Sequence, residues 1–186
     1  MPHTRNIISP WIGNGDPDTF HETPSTLPGL HLPYAPADLG GVYEQGDRSY
    51  QKVVVDDSTA SDRQAIGLVA ANQLAYWTNK AAYRVSNSPA LAIGGAAGAP
   101  NVVAGIFRHA VTLGDQCFIL QRGRAIPVVS DGSGGVSQRA VALATGVNRV
   151  ITVALGTALT YQGVGVYTAT PIANVAIIDV DIPCIP

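Results

Sequence analysis

Charge is what this chain has least of. Of its 186 residues only 13% are Asp, Glu, Lys or Arg, against roughly 25% in an ordinary soluble domain. The formal net charge is −2, so no global field draws the chain to nucleic acid or to an anionic membrane. Lysine is scarcer still: Lys52 and Lys80 stand alone, and every other basic side chain except histidine is arginine. Arginine survives in interfaces better than lysine, because its planar, weakly hydrated head pairs and stacks. A surface this poor in charge is suited to burial against a partner.

Other absences narrow the classes further. No run approaches about 18 consecutive apolar residues, the length that a membrane-spanning helix requires. The opening MPHTRNIISPW has no basic stretch followed by an apolar block, so a secretory signal is not expected. Cysteine is limited to Cys117 and Cys184, far apart in sequence. Two reduced, buried thiols in a protein made in a cytoplasm are the expected state. The alternative is a disulfide tying the C-terminal tail to the central strand. No fixed-period repeat marks a solenoid.

Catalytic signatures are missing as well. His3, His21 and His31 have no metal-ligand spacing, and His109 is alone in a strand-like run; a structural zinc site needs four clustered N or S ligands. There is no G-x-S-x-G. Asp131-Gly132-Ser133-Gly134-Gly135 resembles one only superficially and is better explained as a hairpin tip. Those glycines also lack the strand, loop and helix order and the G-K-[ST] ending of a phosphate loop. Asp56-Asp57 and Asp179/Asp181 are the close carboxylate groupings. The second pair shares a strand face, which permits a cation, although an exposed face is the commoner outcome. Arg108, Arg122 and Arg124 form a local basic set, yet the nearby Phe107 and Phe118 belong to a core rather than a stacking groove. A lipoyl- or biotinyl-type carrier fails on its essential hairpin-tip lysine. No catalytic, cofactor or metal residue is assigned.

What is present is β structure. Asn101 to Val129, NVVAGIFRHAVTLGDQCFILQRGRAIPVV, divides into runs at Val102–Val111, Gln116–Gln121 and Ala125–Val129. Gly114 and Gly123 supply the freedom for tight reversals between them. In the middle run Cys117, Ile119 and Gln121 point one way, while Phe118 and Leu120 point the other. Both faces are largely apolar, as in a barrel or sandwich. Further strands are expected at Arg48–Asp56, Asn72–Trp77, Ala82–Ser86, Arg139–Thr145, Arg149–Leu155, Gln162–Tyr167 and Asn174–Ile182. A short helix over Ala60–Leu68 is capped by Asp57-Ser58-Thr59, and Leu91–Pro100 reads as a linker or wide loop. The fold class is mainly β: a small barrel or sandwich of short antiparallel strands, with at most one or two short helices.

Residues 1–45 form an extended N-terminal arm, and residues 46–186 the β-rich body. Pro2, Pro10, Pro17, Pro24, Pro28, Pro33 and Pro36 forbid a regular helix there. Yet apolar anchors recur, and such a chain lies along a surface, a neighbour's in preference to its own. Trp11, Ile12, Phe20, Leu30 and Tyr34 are the candidate partner-binding residues. Gly40-Gly41 marks the hinge into the body.

The order of these features resembles the capsid decoration, or cement, proteins of tailed bacteriophages. The matching signs are Asn72-Gln73-Leu74-Ala75-Tyr76-Trp77, Ala82-Tyr83-Arg84-Val85-Ser86-Asn87, Val102-Val103-Ala104-Gly105-Ile106-Phe107, and Leu113-Gly114-Asp115-Gln116-Cys117-Phe118-Ile119-Leu120-Gln121-Arg122-Gly123. The likeness covers roughly residues 48–155 and is a pattern of strands, not a catalytic signature. It implies a non-enzymatic virion protein without cofactors that binds the outside of an assembled phage head and clamps neighbouring capsomers. Its partners would be the major capsid protein and further copies of itself, a trimer being favoured. Its location would be the capsid surface, after assembly in the host cytoplasm. The alternatives are a head-fibre or tail-associated structural protein and, from a different class, a small β-barrel ligand-binding module or enzyme.

Overall fold

A computed structural model describes residues 21–22, 39–56, 69–93, 102–142, 149–153 and 162–182. Its strands in chain order are β1 (His21–Glu22), β2 (Val42–Gln45), β3 (Arg48–Val55), β4 (Leu74–Asn79), β5 (Arg84–Ser86), β6 (Val103–Phe107), β7 (Gln116–Val129), β8 (Arg139–Ala142), β9 (Val150–Val153), β10 (Gly163–Tyr167) and β11 (Val175–Asp181). One 3-10 turn, Pro89–Leu91, follows β5. The protein is mainly β, as expected. The expected helix at 60–68 lies outside the described residues.

β3, β5, β4, β6 and β7 pair in that order, and β3 also pairs with β7. The five strands therefore close into a barrel. The β3–β5 contact is parallel and the others in the ring are antiparallel. Closure follows from side-chain chemistry. Val53 and Val55, Ala75 and Trp77, Val85, Ala104, Cys117 and Ile119 fill one continuous interior. These β-branched, aromatic and small residues fit a pleated wall closing on itself.

The second half of β7 belongs to another sheet, running β7-β11-β10-β8-β9. A parallel bridge from Ser130 to Val150 brings β9 back to the end of β7. Ile126, Val128, Ala140, Ala142, Val150, Val164, Ala176, Ile178 and Val180 line its inner side. The same core continues onto the barrel's outer wall through Tyr50, Leu74, Tyr76, Val103, Phe118 and Leu120. Burying a Phe or Leu there contributes roughly 1.5–3 kcal/mol each.

Three expectations for residues 101–135 need correction. Arg122-Gly123 does not break the central stretch, because β7 runs without interruption from Gln116 to Val129. The strand instead carries one extra residue opposite Ser49/Tyr50 and another opposite Ile178/Val180. The left-handed conformation falls on Ala125 at φ 51°, not on Gly123, while Gly114 does turn the chain at φ 84°. The first run is also shorter than expected, with β6 ending at Phe107. Finally, Asp131–Gly135 joins β7 to β8, which are not neighbours, so it is a crossover and not a hairpin tip.

Gly40-Gly41 is likewise no free hinge. Gly40 N–H donates to the Lys52 carbonyl at 2.7 Å, and Lys52 N–H donates to the Gly41 carbonyl at 2.9 Å. The Tyr83 ring occupies the space that a Gly40 Cβ would need. β2 continues this ladder antiparallel to β3 through the turn at Gly46.

Gly165 permits the closest strand approach in the second sheet. A Cβ there would lie 2.0 Å from the Asp179 carbonyl oxygen, which as backbone cannot swing aside. Gly165→Ala is expected to cost about 3 kcal/mol and to lower the melting temperature by roughly 6–12 °C. Gly135→Ala is the control, since its Cβ would meet only Gln138 at 3.7 Å. Thermal unfolding of both variants checks the pair, and equal melting temperatures would refute the argument.

Candidate interaction surface

The residues singled out for chemistry have structural employment. Asp56 is buried; Thr78 Oγ1 donates to it at 2.5 Å and Arg84 at 3.2 Å. Asp57 lies outside the described residues. Asp179 and Asp181 do face outward together, but Asp179 Oδ1 accepts the Ala125 N–H at 2.9 Å. That bond satisfies a donor that the extra β7 residue would otherwise leave unpaired. Ser133 Oγ donates to Asp131 Oδ1 at 2.6 Å within its own turn. Arg108 donates to Asn72 Oδ1 at 2.8 Å and to the Pro127 carbonyl at 3.4 Å, whereas Arg122 sits 3.7 Å from Glu44. Arg108 and Arg122 thus have different partners, and Arg124 is exposed. Among the described residues no group of three or more His, Cys, Asp or Glu could hold a metal. No helix among them is long and apolar enough to cross a membrane.

Trp11, Ile12, Phe20, Leu30 and Tyr34 lie outside the described residues. Within the arm segment, His21–Glu22 pairs with the body's own β7, His21 opposite Cys117 and Glu22 opposite Gln116.

The surface that stands out is the outward face of β7 and β11. Val175 is paired with Val129, and Ile177 with Pro127, on the side opposite the buried Ala176, Ile178, Ile126 and Val128. Alternation along VAIIDVD therefore presents Val175 and Ile177 outward, then Asp179 and Asp181. At the same end Ile172 is 79% exposed. Its position is fixed by a two-residue reversal. Ile172 and Val175 exchange two backbone hydrogen bonds of 2.9 Å, with Ala173 at φ 49° and Asn174 at φ 62°. Positive φ at both central residues suits the twist of paired strands. Asparagine tolerates that region, whereas an alanine there costs roughly 1–2 kcal/mol. Ser130 N–H donates to the Asn174 carbonyl at 2.8 Å and ties this tip to the end of β7.

This face was missed in the sequence, although the alternation from Val175 to Asp181 carries it. Pro171-Ile172-Ala173-Asn174 was the available signal for an apolar side chain at a tight turn. No protein-family model matches the chain, and no curated protein sequence matches it.

Two buried groups give a chemical handle on the barrel. Cys117 is a free thiol, fully enclosed, and burial together with the Asp115 carboxylate pushes its pKa well up. Cys184 lies outside the described residues. Burial also raises the Tyr76 phenol, whose hydroxyl has no hydrogen-bond partner among the described residues. Both groups hold their protons more tightly folded than unfolded. Their stabilisation is complete below the unfolded pKa values and is lost as pH rises through the ordinary thiol and phenol range. Stability is therefore expected to fall above about pH 9, and Tyr76→Phe to flatten that decline. At neutral pH the same variant should match or exceed the parent by up to ~1 kcal/mol, because it deletes an unpaired buried polar atom. Melting curves from pH 7 to 11 check both signs. Thiol-reagent labelling of Cys117 should need unfolding, and rapid native labelling would contradict its burial.

Proposed function

We propose that this chain is a structural virion protein that sits on the outside of a tailed-phage head and clamps neighbouring capsomers. The observation that carries the reading is the apolar outward face formed by Pro127, Val129, Ile172, Val175 and Ile177. It is a surface for protein burial, presented rigidly on strands. The low charge content of the chain and its resemblance to decoration proteins support the same role. The major capsid protein is the proposed partner, and the role needs no catalytic group or cofactor. The arm, with Trp11, Ile12, Phe20, Leu30 and Tyr34 as anchors, adds a second attachment. Each large apolar side chain buried in that way contributes roughly 1.5–3 kcal/mol, offset by the entropy of ordering the segment.

Electron microscopy of purified particles with and without the protein tests the location. Ile172→Asp is expected to leave unfolding within about 0.5 kcal/mol of the parent, because the side chain is exposed. It should weaken head binding roughly 30-fold, the size of a truncated interface anchor. Deleting residues 1–20 spares β1 and should likewise preserve thermal unfolding while reducing the heat resistance of decorated heads. A chain that binds no head surface in the microscope, or heads indifferent to both changes, would overturn the proposal.

A further inference from the structure

The crossover from β7 to β8, residues 131–138, passes over Thr152 of β9 and Tyr167 of β10. Its two ends are tied down by backbone. Asp131 N–H donates to the Val150 carbonyl at 3.2 Å, and Ser137 N–H donates to the Tyr167 carbonyl at 2.9 Å. Between the ties no side chain is buried. Asp131, Gly132, Ser133, Val136 and Ser137 are exposed, while Gly134, Gly135 and Gln138 are half-buried. Even Val136, the segment's single large apolar side chain, is 62% exposed.

What the crossover covers is polar. Tyr167 is 1% exposed, and its hydroxyl and Thr152 Oγ1 are both buried with no hydrogen-bond partner among the described residues. Gly134 sits against both. A Cβ there would lie 2.5 Å from Thr152 Oγ1 and 3.0 Å from Tyr167 Cζ, the carbon that carries the hydroxyl. Closing the crossover therefore strips two hydroxyls of water while burying no apolar side chain in return. The backbone adds to the cost, because Ser137, which has a Cβ, is held at φ 67°. Segments with few buried apolar contacts open locally, well below the free energy of global unfolding.

We propose that residues 131–138 are a strap with two states, one closed over Thr152 and Tyr167, the other lifted with both hydroxyls in water. The hydroxyls set the balance, since they are stranded only while the strap is down. The root of the strap adjoins the Ile172 reversal. Ser130 N–H donates to the Asn174 carbonyl at 2.8 Å, and a Gly132 Cβ would lie 3.0 Å from Asn174 Oδ1. Lifting therefore alters the border of that exposed apolar end, whatever the end binds. The inference concerns this chain alone and does not rest on head binding.

Residue-resolved hydrogen exchange on the full chain tests it. The Asp131 and Ser137 amides report lifting; the Phe107 N–H, which donates to the Gln73 carbonyl at 3.0 Å, reports the barrel. In the parent, the two strap amides are expected to exchange roughly 100-fold faster than Phe107. Tyr167→Phe and Thr152→Val each remove one stranded hydroxyl and should slow both strap amides roughly fivefold. Gly134→Ala acts in the opposite direction, because its Cβ does not fit beside Thr152 Oγ1 with the strap down. It should bring both strap amides close to unprotected rates while Phe107 stays protected. Strap amides as slow as Phe107 in the parent would overturn the proposal, since the segment would then open only with the whole fold. Strap amides unchanged or accelerated by removing either hydroxyl would overturn it too, since the hydroxyls would then be satisfied in the closed state.

Discussion

One strand has to serve two hydrophobic interiors, and the rest of the molecule is arranged around that requirement. In the first half of β7, Cys117 and Ile119 fill the barrel while Phe118 and Leu120 face the larger core. In the second half, Ile126 and Val128 join that same larger core, and Pro127 and Val129 look outward. A regular strand of this length twists and would carry its side chains away from both targets. The extra residues opposite Ser49/Tyr50 and Ile178/Val180 re-aim them. Between the two irregularities the inward position changes, so that Gly123 is buried while Arg122 and Arg124 are exposed. Two single-residue shifts restore the original alternation by Ile126. Asp179 meets the Ala125 N–H that the second shift exposes, and Gly165 lets β10 lie close behind Asp179.

Buried polar groups follow the same geometry. Gln121 is the last barrel-facing residue before the first shift, and its amide donates to Gln51 at 2.6 Å and to the Ala104 carbonyl at 3.3 Å. Gln51 in turn donates to the Gly40 carbonyl at 3.2 Å. The barrel thus ends in a hydrogen-bonded amide pair that also holds the start of β2. At the opposite end Asp56, Thr78 and Arg84 make a charged equivalent. Losing one partner from either group strands a buried polar atom, at a cost of about 1–3 kcal/mol. These residues fix the ends of the ring and leave its middle to apolar packing.

How much of this was legible in the sequence depended on whether the cause was local. The strand periods around Tyr50, Trp77, Ile119, Tyr167 and Ile178 were legible, as was the Gly114 turn, because β-branched alternation and glycine act within a few residues. The two-faced apolar pattern of Gln116–Gln121 pointed to a strand of a barrel or sandwich without a wet side, and the run lies between two cores. Arg122-Gly123 misled for a physical reason: a charged residue and a glycine make the same local signature in a hairpin turn and in an exposed segment between bulges. The difference is set by Ser49, Tyr50, Ile178 and Val180, all distant in sequence. The Ile172 face was half legible. Its outward alternation is written in Val175 to Asp181, but the paired Val129 and Pro127 come from a strand that local pattern had already cut short.

Closing the barrel has a consequence for how this protein meets others. A closed ring removes the free edges through which β proteins associate. Among the described residues, backbone recognition is then left to β2 and β9, which end the strand order, and to the stretch beside Cys117 and Gln116 that β1 covers. Side-chain recognition is concentrated elsewhere, at Val129, Ile172 and Val175. The stretch beside Cys117 and this apolar face occupy opposite ends of β7, about 40 Å apart along a strand rising roughly 3.3 Å per residue. On the proposed reading, the Ile172 end engages the head. Because both are mounted on a single strand locked into two cores, pull on one is transmitted to the other through packed β structure rather than through a loop.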